Sequence, residues 1–192
     1  MPLLKSGKLV DDPWTHVADE VAIPASGPVI VGLKLWREER AALIKRKDPV
    51  GVRLQSDHTA GDVANDLEHL GVVALAFPVF KDGRAYTNAR RLRERHGYRG
   101  EVRAIGNVLR DQYLFMQRCG FDALEVKEGE TEQDWQRATG AITVFYQPAA
   151  DGRETVIRKR HFPDVLGFKI NEGALPFFLL GGAGLYCLMA AA

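Results

Sequence analysis

Lys81-Asp82-Gly83-Arg84 places two cations and a carboxylate around a glycine, directly after the apolar run Val72–Phe77. A glycine at that point lets backbone and side chains close on an anion. The same residues also spell an ordinary turn, since Asp-Gly is a strong turn signal. Downstream, Tyr86, Arg90 and Arg93 share one helix face through spacings of three and four. Arg90 lies nearest the loop, whereas Arg91 and Arg95 point elsewhere, and a solvated basic face is the alternative reading. Arg110, Asp111 and Gln112 fall in the first turn of a further helix, where free backbone N–H groups favour negative charge. Asp111 satisfies that end, while Arg110 works against the helix dipole. Arg53 in VGVRL and Arg103 in EVRAI interrupt apolar strands. A guanidinium inside a strand is costly unless paired, so each predicts either a buried acid partner (Glu125 or Asp111) or an anion. The chemistry these groups share is recognition of an oxyanion or an acidic surface.

Other chemistries lack their signatures. His58, His69, His96 and His161 make no HxH, HxxE or HExxH spacing, so no metal site is expected. No GxGxxG, phosphate-binding Walker loop or GxSxG is present, and no cofactor is identified. Cys119 and Cys187 fit no metal or redox spacing and read as reduced thiols. Cys119, at a helix C-terminus, is badly placed to ionise.

The elements that must hold these residues alternate. Strands are predicted at Val29–Trp36, Val50–Leu54, Val72–Phe77, Glu101–Ile105 and Phe121–Val126, from β-branched or continuous apolar runs. Helices are predicted between them at Arg37–Lys47, Ala60–Leu70, Tyr86–His96 and Val108–Cys119, with Gly71, Gly97 and Gly120 as stops. A charged helix over Lys127–Thr139 and a strand over Ala141–Gln147 follow, and Asp151-Gly152 predicts a return strand over Glu154–Arg160. Before residue 25 the chain reads as irregular, apart from a short strand near Lys8. Alternating β and α segments argue for an α/β fold. Its parallel sheet of βα units is half-barrel-like or a small open sheet, with an irregular N-terminus and an apolar tail.

A length of 192 residues with 46% hydrophobic and 27% charged content fits one folded domain, expected over 1–161 with an extension over 162–192. A net charge of +1 makes no case for nucleic acid, although Lys81–Arg118 is locally basic. The N-terminus is no secretory signal, so a cytoplasmic protein is expected. Residues 174–192 carry no charge. Their length reaches that of a membrane span, but Pro176 and the glycines near Gly181 favour a buried or docked tail. A membrane anchor and an altered reading frame are the alternatives.

The stretch AFPVFKDGRAYTNARRLRERHGYRGEVRAIGNVLRDQYLFMQRCGFDALEV resembles the bacterial family known as domain of unknown function 934. That family's pattern is FPxFxDGRxYSxARxLRxRxGYxGExRAxGxVLRDQxxxxxRCGFDAFE. Thr87 replaces its serine, Asn107 its aspartate and Leu124 its phenylalanine; the resemblance covers about Gly32 to His161. Matching positions include Phe80, Asp82, Gly83, Arg84, Tyr86, Arg90, Arg110, Asp111, Gln112 and Cys119. Members are often labelled oxidoreductases of sulfite reduction, so the resemblance implies a place in sulfate and sulfite assimilation but supplies no active site. Three expectations follow. The first is an accessory protein that meets sulfite reductase, or its electron donor, through the arginine-rich face. The second is an enzyme or sensor for a small oxyanion (sulfite, sulfate or a phosphorylated metabolite) at the carboxyl ends of the strands. The third is a scaffold whose arginines make internal ion pairs.

Overall fold

The computed structural model describes residues 2–19, 21–140 and 142–161. The apolar tail and Cys187 lie outside the described residues. The chain opens with strands β1 (Leu3–Lys5), β2 (Lys8–Val10) and β3 (Thr15–His16), followed by β4 (Val29–Gly32) and helix α1 (Leu33–Ile44). Strand β5 (Val50–Leu54) leads through a 3₁₀ helix (Ala60–His69) to β6 (Leu70–Phe77). Helix α2 (Arg84–Glu94) connects β6 to β7 (Glu101–Gly106), and a 3₁₀ turn with α3 (Tyr113–Cys119) connects β7 to β8 (Ala123–Glu125). Helices α4 (Glu132–Gly140) and α5 (Val156–His161) follow.

All eight strands form one sheet in the order β2-β1-β8-β7-β6-β5-β4-β3. Strands β3 to β8 are parallel and lie in sequence order, each new strand adding to the same edge. Such right-handed crossovers put every connecting helix on one face and wind the sheet as in half of a βα barrel. The half-barrel-like expectation is therefore the one realised. The hairpin β1–β2 was not foreseen beyond Lys8–Val10, and it pairs antiparallel with β8.

Alternation along the strands divides the core. Val31, Val52, Leu75, Ala104 and Leu124 face the helices. Ile30, Val72, Ala74, Ala76 and Ile105 face inward and meet Trp14. Trp14 belongs to the segment Asp11–Trp14, which leaves β2 at one edge of the sheet and enters β3 at the other. That segment crosses the concave face and fills it. One hydrogen bond measures the curl. His16 Nε2 on β3 lies 2.6 Å from Glu125 Oε1 on β8, five strands away. In a flat sheet five spacings would be roughly 24 Å.

Several predicted elements differ in detail. Residues 33–36 are helix rather than strand, because Leu33, Leu35 and Trp36 bury a helical face against the core. Residues 60–69 form a 3₁₀ helix, whose rise of about 2.0 Å per residue covers more of the sheet's length than an α-helix would. The predicted return strand over 154–160 is helix α5, and the strand at 141–147 is reduced to a parallel bridge between Phe145 and Thr155. Among the described residues no helix is long and apolar enough to cross a membrane.

Candidate functional site

Of the candidate residues that follow β6, Arg84, Arg90 and Arg110 are each held by an acid of the chain. Asp82 Oδ1 accepts the Arg84 backbone N–H at 3.1 Å and its Nε at 2.9 Å. Arg84 Nη2 donates to Asp82 Oδ2 at 2.7 Å and to Ser56 Oγ at 3.0 Å. Those Arg84 hydrogen bonds hold the Asp82 carboxyl well below the usual carboxylate range. Arg90 pairs with Glu94 at 2.9 Å, one helical turn on. Arg110 lies 3.2 Å from Asp134 and 3.6 Å from Glu130. Lys81 is exposed over the Phe80 ring. Asp111 is exposed, and Gln112 Nε2 donates to the Phe80 carbonyl at 3.2 Å. Tyr86 packs against Phe77 and Phe115, and burial pushes its hydroxyl up to about 12. Burial likewise pushes the Cys119 thiol up to about 11, so it is protonated at neutral pH.

Arg103 stands apart from these groups, on the concave face, and is fully buried. Its Nη1 donates to Asp12 Oδ2 at 2.7 Å and reaches Glu125 Oε1 at 3.4 Å, while Nε donates to Glu101 Oε1 at 2.9 Å. Of the two acids expected beside it, Glu125 is present; Asp12 and Glu101 complete the set. The candidate residues therefore do not converge on one point. Arg84, Arg90, Arg103 and Arg110 each face an acid of the chain itself.

Arg53 has a different environment. Parallel pairing sets it directly beside Gly32, at the carboxyl ends of β5 and β4. It is half-buried, and its Nε is fully buried without a hydrogen-bond partner among the described residues. No ion pair to Arg53 occurs among the described residues. It lines a cleft of about 380 Å³ with Asp19, Gly32, Lys34, Arg37, Gln55 and His58. That volume lies in the roughly 300–1,000 Å³ range of small-molecule sites.

Local structure explains why the cleft is polar. Helix α1 begins at its edge, with extended Gly32 as the N-cap and no side chain accepting its first-turn N–H groups. Those amides carry the positive end of the helix dipole. Arg37 is already engaged by Asp62 at 2.6 Å. His58 Nδ1 accepts the Gln55 N–H at 3.1 Å, and its Nε2 lies 3.8 Å from Asp57. Asp19 closes the opposite wall. Its Oδ1 would lie 2.0 Å from any Cβ at position 32, so only glycine admits the carboxylate there.

The lining is of mixed charge, with Arg53, Lys34 and Arg37 set against Asp19 and Glu38. It joins a guanidinium without a partner among the described residues, a flanking lysine, an imidazole and a helix N-terminus at the strand ends where parallel α/β sheets bind ligands. Sequence reasoning identified Arg53 as an anomaly in its strand but did not connect it to Lys34, His58 or Asp19. The usable signal was Gly32 at a strand-to-helix junction, hidden when the strand was extended to Trp36.

No curated protein and no solved structure matches the chain. The family model described as "Bacterial protein of unknown function (DUF934)" matches residues 51–157, from β5 with Arg53 through to α5, and the chain belongs to that family.

Proposed function

We propose that the protein binds a small oxyanion at the carboxyl ends of β4 and β5, with Arg53 as the principal ligand-holding residue. The observation that carries this reading is Arg53 itself. A half-buried guanidinium with a buried, unpartnered Nε is costly to keep in an apolar strand. An oxyanion in the cleft would give the accessible part of this guanidinium a partner, beside Lys34 and the first turn of α1. The resemblance to a family labelled with sulfite reduction makes sulfite and sulfate the first ligands to test, with phosphate beside them.

Isothermal titration of the full chain with sodium sulfite, sulfate and phosphate tests the proposal. Saturable binding of at least one anion is expected, and Arg53→Ala should weaken it by at least about tenfold, one charge-assisted contact being worth about 1.5–3 kcal/mol. Arg53→Lys keeps the charge but loses the fork, so it should recover only part. Absence of heat with all three anions, or equal binding by Arg53→Ala, would overturn it.

A second reading, the accessory protein of sulfite reduction, draws support from a different face. Arg91, Arg95 and Arg99 are exposed and have no ion-pair partner among the described residues. They offer positive charge to an acidic protein such as a sulfite reductase or its electron donor. Charge reversal at Arg91 and Arg95 should abolish salt-sensitive association with the reductase; unchanged association would remove this reading and leave the first untouched.

A further inference from the structure

The concave face carries a second polar centre, independent of the Arg53 cleft. Asp12 and His16, four residues apart on the crossing stretch, and Glu125 on β8 each bring one donor atom to within 4.8 Å of the others. They line a cleft of about 710 Å³ together with Asp11, Trp14 and Glu128. His16 Nε2 and Glu125 Oε1 share a hydrogen bond at 2.6 Å. The Glu125 carboxylate is buried on β8, within reach of both His16 Nε2 and Arg103 Nη1.

Charge does not balance in this centre. Asp12, Glu101 and Glu125 are three carboxylates, and the cations that meet them are Arg103 and Lys5. Three carboxylates against two cations leave one negative charge, and Asp11 and Glu128 add two more at the mouth. A divalent ion supplies two balancing charges. Arg103 does not exhaust the donors, because each carboxylate oxygen has two lone pairs. Its hydrogen bond to Asp12 instead resembles the outer partners that orient carboxylate ligands around metals.

We propose that Asp12, His16 and Glu125 form a binding site for a first-row divalent transition-metal ion, zinc foremost. One imidazole and two carboxylates suit such an ion better than magnesium or calcium, which prefer all-oxygen shells. At metal–ligand distances of about 2.0–2.2 Å the donors sit roughly 3–4 Å apart, a small spread from the present hydrogen-bonded pair. Three protein ligands leave a fourth position facing the cleft, as in open zinc sites.

The test is titration of the EDTA-stripped full chain with zinc chloride, followed by cobalt substitution to read the ligand field. One equivalent should bind, with visible cobalt bands. His16→Ala should lose both, lowering affinity by at least about a hundredfold, more than loss of an outer-shell partner costs. His69→Ala, at a histidine outside the cluster, should change neither. Circular dichroism checks that His16→Ala is folded; if it is not, Asp12→Asn, which keeps its shape and an oxygen for Arg103, takes its place. No binding by the parent chain, or parent-like zinc binding by whichever of the two variants is folded, would overturn the proposal.

Discussion

Asp19 sets a condition on what the Arg53 cleft can hold. Its carboxylate faces the same space as the guanidinium and has no hydrogen bond among the described residues. A fully deprotonated oxyanion brought between them gains from Arg53 and is repelled by Asp19. An oxyanion that keeps a proton can donate it to the carboxylate and gain from both. Sulfate carries no proton at neutral pH, whereas hydrogen phosphate and hydrogen sulfite do. The site should therefore prefer phosphate and sulfite over sulfate, and Asp19→Asn should narrow or reverse that order by relieving the repulsion. Competition titrations with the three anions, on parent and variant, would measure it; a preference for sulfate in the parent chain would exclude this role for Asp19. The same pair marks the limit of the sequence. Arg53 was visible because an arginine in VGVRL breaks an apolar pattern, but Asp19 lies in a loop whose approach to Gly32 depends on where β3 joins the sheet.

At the scale of elements, α1 and the 3₁₀ helix 60–69 are fastened by one acid. Asp66 Oδ2 accepts the Trp36 indole N–H at 2.8 Å, and Oδ1 accepts Arg40 Nε at 2.9 Å. Trp36 is fully buried, so removing the acceptor strands its N–H. Asp66→Ala should cost about 1–3 kcal/mol in urea unfolding, the usual penalty of a buried donor left unmade. The Arg40 hydrogen bond, then that from Trp36, hold the Asp66 carboxyl below its ordinary value of 3.8. With the folded pKa depressed, the ionised pair stabilises the protein above pH 3.8, and that contribution is lost as pH falls through the folded value. The parent's advantage over Asp66→Asn should thus be constant at neutral pH and shrink below about pH 4. A gap that persists at pH 2 would mean that packing, not charge, holds the contact. The sequence disclosed the helix tie only in part. Thr59 and Asp62 form a capping box at the start of the 3₁₀ helix, a signal local to the sequence. Period alone could not separate 3₁₀ from α over residues 60–69, because crossover length, a tertiary constraint, decided between them. Gly120 was legible for a local reason: it ends α3 in the left-handed region at φ 100°, where glycine is favoured.

For the whole molecule, the question is what keeps a half-barrel curled and its concave face filled. The parallel strands and their order were legible, since apolar runs alternating with helices admit few other topologies. The crossing segment was not, because Asp11–Trp14 and the two-residue strand β3 have no pattern of their own and take their place from tertiary partners, β4 beside β3 and, more than ninety residues away, Arg103 and Glu125. Arg103 is the hub of that closure, bonded at once to Asp12 on the crossing segment and to Glu101 on β7. Its burial decides its energetic weight. An exposed pair at i,i+4 such as Arg90–Glu94 contributes about 0.3–0.5 kcal/mol. Removing Arg103 leaves Asp12, Glu101 and Glu125 together on the concave face, with Lys5 still beside Glu101 and His16 beside Glu125, and breaking a buried pair costs about 3–5 kcal/mol. Arg103→Met should therefore destabilise the fold severely, while Arg90→Ala should be almost silent. The loss should begin at the N-terminus: with Asp12 unanchored, limited proteolysis should cut within residues 11–16 of Arg103→Met under conditions that leave the parent chain intact. Equal stability of the two variants in urea, or protection of that segment in Arg103→Met, would show that Trp14 and the strand pairings hold the curl without the buried charges.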